Sequence, residues 1–145
     1  MAVHRAAVLA ALAVVVAAGC GEGFVRESAP HWQHVAVRPG VDDDALWACV
    51  REAVRTRGPL VREDRDAGDA GRGVLETGWT DAPDGRGRTR TVAQVNFSGR
   101  SVALRCDAQQ RTGPAWQSGY DDNALYDLET AVRCAVGRPR TYGPT

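Results

Sequence analysis

The chain of 145 residues has room for one domain, because a second would be too small to bury a core of its own. Apolar residues at 43% and charged residues at 25% give a globular balance that excludes wholesale disorder. Eighteen arginines, with no lysine, are offset by eighteen Asp and Glu, and this neutrality argues against nucleic acid as a partner.

Residues 1–5 form a short cationic start, and residues 6–18 are Ala, Val and Leu without a polar interruption. A spanning helix needs ~20 apolar residues to cross ~30 Å of hydrocarbon, so this run has the length of a secretory signal and is too short to span. It ends in Val16, Ala17, Ala18, Gly19 and Cys20. That ending resembles the lipobox of bacterial lipoproteins, with Ala17 where Leu is usual. The resemblance implies cleavage before Cys20 and acylation of its thiol. Gly21 after it implies the periplasmic side of the outer membrane in a Gram-negative cell. Several acyl chains hold a protein stably, since each buried CH₂ contributes ~0.8 kcal/mol. An ordinary leader cut near the same place would instead leave Cys20 as a thiol. Removing the leader takes Arg5 with it and leaves a formal charge of −1. The expected organisation is a signal peptide over 1–19, a tether over 20–30, a globular domain over 31–137 and a tail over 138–145.

In the globular part, Val35 and Val37 on one side and His34, Ala36 and Arg38 on the other predict a short strand over 32–38. Asp42, Asp43 and Asp44 offer an N-cap and negative charge for a helix over 43–56, with Leu46, Val50 and Ala53 at helical spacing. Residues 62–73 are charged and glycine-rich, which predicts a loop. Three alternating runs follow, and they predict an antiparallel meander. The first turns Leu75, Thr77 and Trp79 one way, the second Thr91, Ala93, Val95 and Phe97, and the third Val102, Leu104 and Cys106. Thr112, Gly113 and Pro114 are expected to end the sheet, with Trp116 in a loop. A second helix is expected from Asp121, Asp122 and Asn123, with Leu125, Leu128, Val132 and Ala135 as its buried stripe and Gly137 as its stop.

This order predicts a two-layer α+β fold, an antiparallel sheet of three to four strands with two helices packed on one face. The other face would show Arg88, Arg90, Gln94, Asn96, Ser101, Arg105 and Asp107. The run Leu75, Glu76, Thr77, Gly78 and Trp79, the Arg-rich strand from Arg88, and Trp116 before the last helix carry a coarse resemblance. It is to the helix-grip domains of small outer-membrane biogenesis lipoproteins, in particular the C-component lipoprotein of the β-barrel assembly machinery. That likeness spans about residues 32–136 and carries no activity with it.

Setting Cys20 aside leaves Cys49, Cys106 and Cys134, an odd number, so at most one bridge forms within the chain. Cys49 and Cys134 flank the apolar stripes of the two helices, which favours their pairing with Cys106 buried; Cys49 with Cys106 is the alternative. His31 and His34 have no evident third ligand, so no metal is expected. Neither a Gly-x-Ser-x-Gly elbow nor a His beside a nucleophile is present, and Ser98 and Ser101 belong to a turn. The acidic run from Asp64 to Gly71 fails the EF-hand pattern, with Gly68 at the fifth ligand position and Leu75 at the twelfth. Trp79 reads as core and Trp47 as a half-exposed helix residue.

The expected function is therefore that of a lipid-anchored envelope protein, with the membrane and another envelope protein as partners and without a cofactor or catalytic residues. Trp32, Trp116, Arg88, Arg90 and Arg105 are the candidate partner contacts. The alternative is a module holding a small ligand, lipid or glycan between helices and sheet, in a cavity lined by Trp79, Phe97 and Leu104. An enzyme would need a cleft that gathers Asp121, Asp122 or His34 with a nucleophile.

Overall fold

The computed structural model describes residues 23–67 and 71–137, and Cys20 with the signal segment lies outside them. Eight strands and two helices follow one another as β1 (Phe24–Arg26), β2 (Gln33–Ala36), α1 (Asp43–Arg55), β3 (Leu60–Asp64), β4 (Arg72–Thr77), β5 (Thr80–Asp81), β6 (Gly87–Asn96), β7 (Ser101–Thr112), β8 (Ala115–Asp121) and α2 (Asp122–Ala131). A 3-10 turn, Val132–Cys134, closes the series.

The fold expected from the sequence is overturned. The chain is mostly sheet, with eight antiparallel strands in place of three to four, and the order β1-β8-β7-β6-β4-β3 forms its main path. The frame is the long β6–β7 hairpin, in register from Gly87 opposite Gln110 to Asn96 opposite Ser101. Its turn is fixed by Asn96, whose Oδ1 accepts the N–H of Gly99 at 2.8 Å. The free edge of β7 is shared. β2 pairs with residues 101–104 and β8 with residues 107–112. β4 lies along the other edge of the hairpin and carries β3 outside it, while β5 pairs beside the far end of β6.

Three of the missed strands have a physical reason. β3 is an outer strand whose last four residues, Val61 to Asp64, are exposed, so no apolar alternation marks it, and charged residues suit an edge. β8 carries Gln117, Ser118 and Gly119 and pairs with the polar distal half of β7, so Trp116 sits in a strand where a loop was expected. β1 falls within the segment expected to be a tether, and it pairs with β8 from Phe24 opposite Asp121 to Arg26 opposite Gly119. Gly119 permits that approach, since a Cβ there would strike the carbonyl of Val25.

The two helices begin where their caps predict. Asp42 Oδ1 accepts the N–H of Ala45 at 2.7 Å, and Asp121 Oδ1 accepts that of Ala124 at 3.0 Å. α1 lies against β4 and β6, and α2 against β7 and β1. One core joins Leu46, Val50, Ala53 and Val54 of α1 with Leu125 and Leu128 of α2 and with Leu75, Val95, Val102 and Leu104 of the sheet. Full burial of such a side chain contributes about 1.5–3 kcal/mol. Trp47, expected half exposed, is in that core. Its ring packs on Gly73, where a Cβ would collide with it, and tilts against Phe97 at 6.1 Å between centroids.

Cys49 of α1 and Cys134 of the 3-10 turn are joined in a disulfide, with Cα atoms 6.1 Å apart. Cys106 is free and buried in β7, and burial pushes its thiol up to about 12. Glu129 of α2 is buried too, and neither of its carboxylate oxygens has a hydrogen-bond partner among the described residues. Burial and then the Asp122 carboxylate hold its pKa above the ordinary range.

Candidate binding face

Alternation along β6 and β7 separates two kinds of surface. Residues in register share a face, so Ala93 with Leu104 and Val95 with Val102 turn toward the helices. The intervening residues turn the other way: Arg88 opposite Gln109, Arg90 opposite Asp107, and Val92 opposite Arg105. Trp116 and Tyr120 of β8 join them, because they pair with Arg111 and Asp107.

Arginines and tryptophans interleave across this face. The Arg88 guanidinium lies 4.5 Å from the centre of the Trp116 ring and 5.0 Å from that of Trp79. Arg90 is 4.7 Å from Trp79, Arg105 is 4.5 Å from Trp32, and Arg111 is 5.5 Å from Trp116. Each contact sets a cation against the negative face of an indole ring and fixes a long side chain that would otherwise be mobile. A polar network ties the same guanidiniums to the sheet. Arg90 Nη2 donates to Asp107 Oδ2 at 2.8 Å, Arg105 Nε lies 2.8 Å from Asp107 Oδ1, and Arg88 Nε donates to Gln109 Oε1 at 2.6 Å. Glu76 of β4 lies 3.7 Å from Arg90 on its other side.

The segment after β1 returns over this face. His31 stacks on Tyr120 at 3.9 Å with the rings nearly parallel, and its Nδ1 is 3.2 Å from Glu27 Oε2. Burial, then the carboxylates of Asp122 and Glu27, push the Tyr120 phenol up. Between this segment and the sheet lies a cleft of about 160 Å³. A second cavity of about 350 Å³ sits at the far end of the hairpin, bounded by Phe24, Ala82, Arg86 and Gln110 among others.

The structure brings Trp32, Trp116, Arg88, Arg90 and Arg105 onto this one face. Trp79, expected in the core, belongs to it as well and is exposed. The strand that holds Leu75 and Thr77 inward ends at Thr77, and after Gly78 the chain no longer keeps the alternation. Glu76, Gln109 and Arg111 complete the network; Glu76 was noted only in the run that carries the resemblance, and Gln109 and Arg111 were not singled out from the sequence. Arg105, Asp107, Gln109 and Arg111 do alternate, however, and extending the strand past Cys106 would have found them.

The cavity expected between helices and sheet is not formed by its three residues. Leu104 is fully buried, Phe97 packs on the core, and Trp79 lies on the opposite face. Asp121 is engaged as the cap of α2, and His34 is exposed on β2. Among the described residues, no group of three His, Cys, Asp or Glu is placed to hold a metal, and no helix is long and apolar enough to cross a membrane. Residues 68–70 of the acidic run lie outside the described residues. Comparison with known protein families, with curated proteins and with solved structures finds no match to this chain.

Proposed function

We propose that this protein is a non-catalytic interaction domain, held to a bacterial envelope membrane by acyl chains on Cys20, which binds another envelope protein through its Arg–Trp face. The observation that carries the reading is the interleaving of Trp32, Trp79 and Trp116 with Arg88, Arg90, Arg105 and Arg111 on one side of the sheet. Tryptophan and arginine are the side chains most enriched among residues that dominate binding energy. Their mutual stacking holds them in place before a partner arrives, which lowers the entropic cost of association.

Location follows from the leader, whose run of small residues into Cys20 supports acylation. A disulfide between Cys49 and Cys134 accords with an oxidising compartment outside the cytoplasm.

The test has two parts. Mass spectrometry of the mature protein should show Cys20 as N-terminus with acyl chains attached, and a bare N-terminus refutes the anchor. The chain with Cys20→Ser, immobilised and exposed to envelope extract, should retain a discrete protein that the additional change Arg88→Ala with Trp116→Ala releases. Equal retention by both forms removes the face from the account.

A further inference from the structure

We infer that the cleft on the Arg–Trp face is a subsite for one neutral sugar ring of a glycan chain. This rests on the reading of that face as the binding face and adds a ligand class to it. The cleft lies between residues 27–30 and the sheet, and Trp79, Arg90, Arg105, Asp107, Gln109 and Ser118 supply its chemistry.

Charge decides first. An arginine-rich face suggests an anionic ligand, but the cations of this cleft are already balanced. Arg90 and Arg105 both lie against Asp107, Glu76 stands 3.7 Å from Arg90, and Glu27 lines the rim. The cleft itself therefore holds two guanidiniums and two carboxylates. An incoming anion would have to displace Asp107 from hydrogen bonds that are charge-assisted and therefore strong. A neutral ligand loses nothing of this kind.

Hydrogen-bond capacity decides next. Guanidinium N–H groups donate, carboxylate oxygens accept, and the Gln109 amide and the Ser118 hydroxyl do both. Such a mixture within one small space matches a ligand whose own groups both donate and accept, as hydroxyls do.

Shape and aromatic surface complete the argument. Trp79 is exposed at 36%, so part of its indole remains open although two guanidiniums lie against the ring. The C–H groups of a pyranose, which carry a slight positive charge, would settle against the part of the indole that the two guanidiniums leave uncovered. A volume of about 160 Å³ is well under the ~300 Å³ at which pockets for whole drug-sized ligands begin. The cleft suits one ring, with the remainder of the chain lying along the open face.

Saturation-transfer NMR on the chain from Gly21 onward tests this, since that chain keeps every described strand, both helices and the disulfide. The probes are the tetramers of N-acetylglucosamine and of glucose, with tetragalacturonate as the acidic counterpart. We expect saturable transfer to a neutral tetramer, confined to one or two rings, unchanged by salt, and weakened about tenfold or more by Trp79→Ala. Gln109→Ala should weaken it also, which guards against a folding defect in the first variant, and Tyr126→Ala on α2 should leave it intact. No transfer to either neutral tetramer, stronger binding of tetragalacturonate, or binding indifferent to both cleft variants overturns the assignment. Retention of an envelope protein through Arg88 and Trp116 is read separately, so the sugar subsite can fail while the interaction reading stands, and the reverse.

Discussion

Arg90 and Asp107 face one another directly across the β6–β7 pair, with Nη2 of one 2.8 Å from Oδ2 of the other. Both are half-buried or less exposed, and Asp107 also serves Arg105. One carboxylate thus holds two guanidiniums that would otherwise repel each other. Asp107→Ala is expected to lower stability by about 1–3 kcal/mol, because it leaves buried donors without their acceptor. Urea unfolding measures it, and a double-mutant cycle with Arg90→Ala should return a favourable coupling. A coupling of zero would place the pair outside the stabilising network.

The disulfide spans 85 residues and fastens α1 to the turn after α2. Closing so long a loop restricts the unfolded chain, and its loss typically costs about 2–5 kcal/mol in a small exported domain. Cys49→Ser and Cys134→Ser should therefore lower the melting temperature equally, and reductant should lower that of the unaltered protein to the same value. Unequal losses would point to a role for one thiol outside the bridge.

Cys106 is 1% exposed and its pKa is raised to about 12, so at pH 8 it is neither accessible nor ionised. In the chain with Cys20→Ser, alkylation by iodoacetamide, followed by mass spectrometry, should find no modification in the folded protein and one per chain in urea without reductant. Rapid labelling of the folded state would contradict its burial.

Glu129 gives stability a pH dependence of definite sign. Its folded-state pKa is raised, so the ionised form is disfavoured in the fold. Its contribution is fully present below the unfolded carboxyl range, near ~4.3, and is lost as pH rises through the folded value. Glu129→Gln is expected to stabilise the protein at neutral pH, with the gain closing as pH falls toward the ordinary carboxyl range. Unfolding curves at a series of pH values check this. A gain that stayed constant with pH would mean that Glu129 is not titrating in that range.

The helices were legible in the sequence because their signals are local. A capping aspartate and a stripe such as Leu46, Val50 and Ala53 lie within a few turns of each other. Strands β4, β6 and β7 were partly legible for the same reason, as far as the apolar core extends. Beyond Thr91 and Cys106 the hairpin runs on past the helices, and only the small Ala108 marks it as apolar. β1 is only three residues long and owes its state to β8, remote in sequence, whereas β3 and β8 pair with strands next to them in the chain and are hidden by their polar residues. The face could be foreseen in Arg88, Arg90, Arg105, Trp32 and Trp116, but the place of Trp79 on it could not. Trp79 continues the inward alternation of Leu75 and Thr77 on paper, and only the end of β4 ahead of Gly78 takes it out of the core.

The central claim, that the Arg–Trp face is where a partner binds, is tested most directly by site-specific photocrosslinking in the cells that make the protein. A photoreactive residue would replace Ser118, which lines the cleft on that face, or Tyr126, which is exposed on α2. The account predicts a discrete protein adduct from position 118, reduced when Arg88→Ala and Trp116→Ala are combined with it, and none from position 126. Adducts from position 126 alone, or an adduct at 118 indifferent to Arg88 and Trp116, would contradict it.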